Sequence, residues 1–230
     1  MVVSVEISGI LEKKLRRLVE LGVYSSVAEA VREAVRRLFE DIDLKSLAIE
    51  LYIERGASLS YAAEFAEETI ESMIDYMLSK GVTPVIGGIV EEDYEEIDDG
   101  VIFADPLSLY VIYKSNLASL LDELFSRGLI LLAPAEAESY LQILVADRIR
   151  RGLPVPFRVE TVRLPRVLEE HSEPPLSTME VAAVEYSLKT GTPVLLDDAR
   201  ARDYARKRGA RAYSTLSLVT TYISRVGSPP

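Results

Sequence analysis

The chain has no cysteine, one histidine, one asparagine and one glutamine in 230 residues. The absence of cysteine excludes disulfides and thiolate metal sites. The lone His171 falls in the loop-like EEHSEPP with no partner in view, so Ser-His-Asp chemistry and His-rich zinc sites are not expected. What metal chemistry remains belongs to carboxylates and a hard cation, Mg²⁺ or Mn²⁺. No apolar run reaches about 18 residues and no cationic, then apolar leader opens the chain, so a soluble cytoplasmic protein without a membrane partner is expected. Scarcity of Asn and Gln beside 26 basic and 37 acidic side chains fits a thermophilic source.

The net charge of −11 is uneven along the chain. Residues 1–43 hold 7 basic and 8 acidic side chains, residues 44–100 hold 3 and 14, and residues 101–230 hold 16 and 15. The acidity therefore belongs to the middle, and it does not bar the flanking parts from nucleic acid. These shifts divide the chain into 1–43, 44–100 and 101–230.

The first piece opens VVSVEIS, with Val3, Val5 and Ile7 on one face and Ser4, Glu6 and Ser8 on the other. Strict alternation predicts a half-buried strand. Two helical patterns follow, the second opening with a capping signal, Ser26-x-x-Glu29. One strand and two helices in 43 residues cannot form a core alone, so the unit must dimerise or dock. The order resembles the ribbon-helix-helix family, whose dimers lay a two-stranded ribbon in the DNA major groove. That resemblance implies a homodimer, with Ser4, Glu6 and Ser8 facing DNA and Ser25 and Ser26 approaching its backbone. The outward Arg, Lys or Gln usual in that family is absent, and Glu6 turns a negative charge toward phosphates. DNA binding and a pure dimerisation ribbon both remain open.

The second piece reads as a short helix, a turn at Gly56 and a helix pair ending at Gly81. Ala48, Leu51, Tyr52, Gly56, Ser58, Ala62, Ala63, Glu64, Ala66, Lys80, Gly81 and Val82 resemble a family of small archaeal and bacterial antitoxins, which also begin with a ribbon-like strand and end in an acidic tail. Where that family has Gly after its Ala-rich phrase, this chain has Glu67. The charge run EEDYEEIDD at 91–99 is either a solvated linker or an acidic segment on the rim of the next piece.

The third piece alternates strand patterns at 101–104, 128–132, 193–196 and 210–213 with helical patterns near 107–125, 134–150, 176–190, 199–208 and 215–224. Alternation of this kind predicts an α/β fold, a parallel sheet with helices on both faces. Two apolar runs end in acid, Val101–Ala104 at Asp105 and Val194–Leu196 at Asp197-Asp198. If the two strands are neighbours, these carboxylates meet outside the carboxyl ends of the sheet, where α/β proteins bind ligands. Glu180 lies in the first turn of the preceding helix, either as the acid of a capping box with Ser177 or facing the same crevice.

From Glu180 through Leu195, Asp197, Asp198, Arg202 and Gly209 to Thr215 the chain resembles a PIN nuclease domain of the toxin-type subgroup. The resemblance implies a Mg²⁺- or Mn²⁺-dependent endoribonuclease for single-stranded RNA, with Asp105, Glu180 and Asp198 as ligands and Asp197 beside them. The family's second acid maps onto Glu136 or Glu138, with Glu138 the better match. Pro106-Leu107 stands where the family has a hydroxyl pair, and Ser108 follows one position late. Arg200, Arg202, Arg206, Lys207 and Arg208 are the candidates for the RNA backbone. The resemblances together imply a toxin–antitoxin-like fusion in which the acidic middle occupies the nuclease crevice. The alternative is a dimeric DNA-binding regulator with an inactive PIN scaffold.

Overall fold

A computed structural model describes residues 4–87, 96–97, 100–115, 117–137, 142, 146, 149–152, 159–164 and 172–226. Five parallel strands form one sheet in the order β3-β2-β1-β4-β5: β1 (Val101–Ala104), β2 (Ile130–Pro134), β3 (Val159–Val162), β4 (Val194–Leu195) and β5 (Ala212–Tyr213). The runs of β1, β2 and β4 are apolar without alternation because both faces of the sheet are covered there. Ile102, Ala104, Leu131, Ala133 and Leu195 pack one way, against α6 (Pro106–Lys114), α7 (Ala118–Ser126) and α10 (Thr215–Val226). Phe103, Leu132, Val194 and Leu196 pack the other way, against α8 (Thr178–Thr190) and α9 (Ala199–Lys207).

The expected α/β class is therefore found, with local differences. The strand expected at 128–132 begins two residues later, because Gly128 turns the chain with a φ of 101° before Ile130 pairs with Val101. The single helix expected at 107–125 is two helices, parted where the backbone of Ser115 caps α6. Strand β3 was not expected at all. Of the charge run at 91–99 only residues 96–97 are described; there Ile97 is buried and donates its amide to Thr221 Oγ1 at 2.8 Å.

Before the sheet come two helical units. In the first, α1 (Gly9–Glu20) buries no residue and α2 (Val27–Asp41) buries only Ala30. Ile10, Leu11, Leu21, Val35, Leu38 and Phe39 are exposed. Residues 4–8 form no strand, contrary to expectation. An isolated strand has no ladder to join, and in a ribbon its partner is the same segment of a second copy.

The second unit comprises α3 (Leu44–Glu54), α4 (Leu59–Phe65) and α5 (Ile70–Ser79). Each starts at a polar N-cap, Asp43, Ser58 and Thr69, whose side chain accepts a backbone amide of the first turn. Ala48, Tyr52, Leu59, Ala62, Met73 and Met77 form its core, and α6 of the sheet domain supplies Leu107 to the same cluster. The unit is thus packed onto the sheet domain through shared apolar surface. Glu67 lies just beyond α4 with a φ of 54°, a left-handed conformation that glycine adopts without a Cβ penalty.

Candidate active site

Strand order reverses at β1: β2 and β3 lie on one side, β4 and β5 on the other. A crevice at such a switch point is the usual ligand site of an open α/β sheet. Phe103 pairs with Val194 and Ala104 with Leu195, so the residues after β1 and β4 emerge side by side. Those residues are Asp105, Asp197 and Asp198, as the sequence predicted. Glu180 approaches from α8, and all four carboxylates are no more than 2% exposed.

Each acid has a distinct set of partners. Asp105 caps α6, its Oδ1 accepting the Ser108 amide at 2.8 Å. Asp197 Oδ1 accepts the amide and hydroxyl of Thr215 at 3.1 and 2.9 Å, which ties β4 to the start of α10. Asp198 caps α9 through the Arg200 amide at 2.9 Å, and its Oδ2 accepts the Leu59 amide of α4 at 2.8 Å. Glu180 closes a reciprocal capping box with Ser177 and also accepts the Ser58 hydroxyl at 2.5 Å. Both readings of Glu180 hold: it caps α8 and it faces the crevice.

Burial sets the electrostatics. It pushes Asp105 up to about 7, the Ser108 bonds opposing and the charges of Asp197 and Asp198 adding to the rise. Burial, then the charges of Asp198 and Asp105, likewise raise Glu180. Asp197 is raised by burial against the pull of Thr215, with Arg202 among the groups that lower it. The Asp105 Oδ2 and Glu180 Oε1 atoms are buried without a hydrogen-bond partner.

Buried carboxylate oxygens lacking a proton donor are donors of the kind a hard divalent cation takes. The arrangement itself does not gather them: among the described residues, no three acidic side chains converge into a metal-binding group. Donor chemistry fits a cation; the docked geometry does not. Glu136 lies in a short 3₁₀ turn, Ala135–Ala137, directly after β2 and at the same end of the sheet. Glu138, the preferred second acid, and His171 lie outside the described residues.

The basic residues divide differently from expectation. Arg202 is buried and donates to the Leu196 carbonyl at 2.6 Å, so it supports β4 from within and is not presented to a polyanion. Arg200 lies 4.0 Å from the Tyr52 ring centroid and donates to the Ala57 carbonyl, both in the α3–α4 unit. Arg206 donates to the Ala212 carbonyl, while Lys207 and Arg208 pair with Asp203 and Glu185. At the other end of the chain, Ser4, Glu6 and Ser8 are exposed but belong to no ribbon. Ser26 Oγ accepts the Glu29 amide, and the Glu29 carboxylate accepts from Ser25, so both serines close the start of α2.

Sequence reasoning missed the partners supplied by residues 52–87. Ser58 and Tyr52 stood out only through resemblance, and the Leu59 and Gly87 amides have no side-chain signature. The Gly87 amide donates to the Asp197 carbonyl at 2.7 Å, so the return from α5 passes over the same crevice. Comparison with protein-family models, curated proteins and solved structures finds no match to this chain.

Proposed function

We propose that this chain is a toxin–antitoxin-like fusion: a PIN-type, metal-dependent endoribonuclease half held shut by its own antitoxin-like helices. One observation supports the reading above others. Acids from three separate segments meet at the switch point of the sheet, and the helical unit donates hydrogen bonds to two of them, Glu180 and Asp198.

In this reading Asp105, Glu180 and Asp198 would hold Mg²⁺ or Mn²⁺, which would supply an activated water and charge stabilisation at the scissile phosphate. Asp197 acts as a positioning residue through its Oδ1, which is bonded to Thr215, while its Oδ2 is buried without a partner. Arg200, once freed from Ala57 and Tyr52, is placed beside Asp198 to meet the RNA backbone. Residues 57–59 exclude RNA while they remain seated.

The decisive measurement is cleavage of single-stranded RNA with Mn²⁺ by the full chain and by Glu64→Ala/Glu71→Ala, which loosens the docked unit without touching any of the four crevice acids. Cleavage should be low in the parent, higher in the loosened chain and abolished when Asp198→Asn is added. A loosened chain that leaves RNA intact rules the nuclease out.

A second reading is favoured by the uncovered apolar side chains of α1 and α2. It is a dimeric ribbon-helix-helix DNA-binding regulator carrying an inactive PIN scaffold. An electrophoretic shift on the DNA upstream of its own gene, lost when residues 1–43 are removed, would select it.

A further inference from the structure

The edge of the sheet at β5 holds charge that the crevice does not use. A groove of about 580 Å³ runs between α9 and this edge. Among the described residues its lining carries three cations, Arg206, Lys207 and Arg211, and one carboxylate, Asp203, with Tyr213 at one end. Lys207 and Asp203 pair at 2.6 Å with side chains 74% and 59% exposed, a surface ion pair worth little and readily exchanged for another partner. Arg206 Nε donates to the Ala212 carbonyl at 2.9 Å, and Arg211 Nη2 donates to the Gly191 carbonyl at 2.6 Å. A carbonyl fixes a guanidinium in place without neutralising it.

The backbone narrows the choice of ligand. The Val194 and Leu196 amides bond the Arg211 and Tyr213 carbonyls at 2.9 and 2.8 Å, so both carbonyls turn inward toward β4. Alternation along the strand turns the Ala212 carbonyl outward, where Arg206 takes it. An edge closed by a side chain does not accept a peptide as a further strand. It offers charge beside an aromatic ring, the combination that tracks a phosphate backbone and stacks a base.

Position favours the same ligand. Tyr213 stands two residues before Thr215, whose amide and hydroxyl hold Asp197, so the groove ends about 7 Å of extended chain from the crevice. The helical unit meets α9 at its first turn, through Arg200, whereas the groove lies along the last turns of that helix. Resting on the fused-nuclease reading for the identity of the strand, we infer that this groove holds the phosphate backbone of single-stranded RNA, outside the crevice and with the helical unit seated. The shut chain then carries its RNA along the sheet edge, and undocking bares the acids to a strand already in place.

The test is fluorescence anisotropy of a labelled single-stranded RNA with the full-length chain in metal-free buffer, repeated over a range of salt. The parent should bind. Lys207→Glu/Arg211→Glu should weaken binding by about tenfold or more and lower the slope of log Kd against log salt by about 1.4, two phosphate contacts at ~0.7 each. Lys207→Gln/Arg211→Gln, which removes the charges without reversing them, should fall between the two. Glu64→Ala/Glu71→Ala should bind as the parent does, within about twofold, because a ligand indifferent to docking does not sense the docked fraction. No binding by the parent, or an unchanged Kd in either charge variant, overturns the inference. A large gain in the loosened chain does so too, since the strand would then depend on the open crevice. Equal competition by polyglutamate also overturns it and would mark a surface for acidic polypeptide. Cleavage with Mn²⁺ is read separately. RNA held at the groove and left intact by the loosened chain keeps the groove and removes the nuclease. Cleavage with Kd and rate untouched by charge reversal does the opposite.

Discussion

The two helical units that precede the sheet differ in what covers them. Residues 44–79 bury Tyr52, Leu59, Met73 and Met77 to 4% exposure or less, and they share their core with Leu107 of the sheet domain. Residues 9–41 bury Ala30 alone and leave Leu38 and Phe39 more than half exposed. The helices α1 and α2 are strongly amphipathic, and burying the apolar stripe of a surface helix is where most of its stability arises. One unit has its partner surface within the same chain; the other presents an apolar surface that no described residue covers. The α3–α5 unit meets the sheet domain through the cluster it shares with Leu107, whereas among the described residues α1 and α2 bury only Ala30.

Matched truncations break this comparison most directly. Met73→Ala should destabilise the chain by about 2–5 kcal/mol in denaturant titration, the range for emptying a buried site. Phe39→Ala should change it by less than about 0.5 kcal/mol in a monomer. An equal loss at Phe39 would mean that a second copy covers α2, which repetition at several protein concentrations would reveal.

The next effect in size comes from pH and acts only at the crevice. Burial pushes Asp105 up to about 7 in the folded chain, against about 4 in a free aspartate, and raises Glu180 as well. A raised carboxylate favours the folded state most at low pH, and that advantage is lost as pH climbs from about 4 through 7. In metal-free buffer, Tm should fall by on the order of 5 °C between pH 5 and pH 8. A flat or rising Tm would show that the acids are ionised when docked.

Glu67→Gly should stabilise the docked unit by about 1 kcal/mol, because glycine removes the penalty of a left-handed residue. A loss instead would indicate that the Glu67 side chain has a role of its own. Smallest is Glu71→Ala, which removes a half-exposed ion pair with Lys114. It should cost no more than about 1 kcal/mol and be masked by salt.

Much of the crevice was legible because strand-terminal acids obey a strong rule. Asp105 and Asp198 follow apolar runs long enough only for buried strands, and parallel topology makes those strands neighbours. The capping signals at Ser26 and Ser177 were equally readable, since a cap depends on residues three apart. Strand β3 was not legible. Its Val-Glu-Thr-Val has two polar residues in four and sits at the sheet edge, where the outer side is free of the demand for apolar runs. Arg202 misled for a different reason: an arginine on an Arg-rich helix gives no sign that it points inward to the Leu196 carbonyl.

The contacts of Ser58 and Leu59 were the least legible, since an amide is the same at every residue. Even so, the residues behind the antitoxin-like resemblance are largely the docking residues. Tyr52 lies beside Arg200, Ser58 bonds Glu180, and Glu64 holds Thr178. The phrase was readable before its use was.

The covalent link between α5 and β1 has a consequence for how such a dock behaves. Joined by a short tether, the helical unit sees the crevice at an effective concentration in the millimolar range. Diluting the protein therefore does not open it, as dilution opens a pair made of two chains. Neither does the loss of a separately made partner to proteolysis, because the helical unit and the sheet domain are synthesised in equal number and share one lifetime. The latch answers to competition for its groups or to a cut between residues 87 and 100, and to nothing that merely changes how much protein is present.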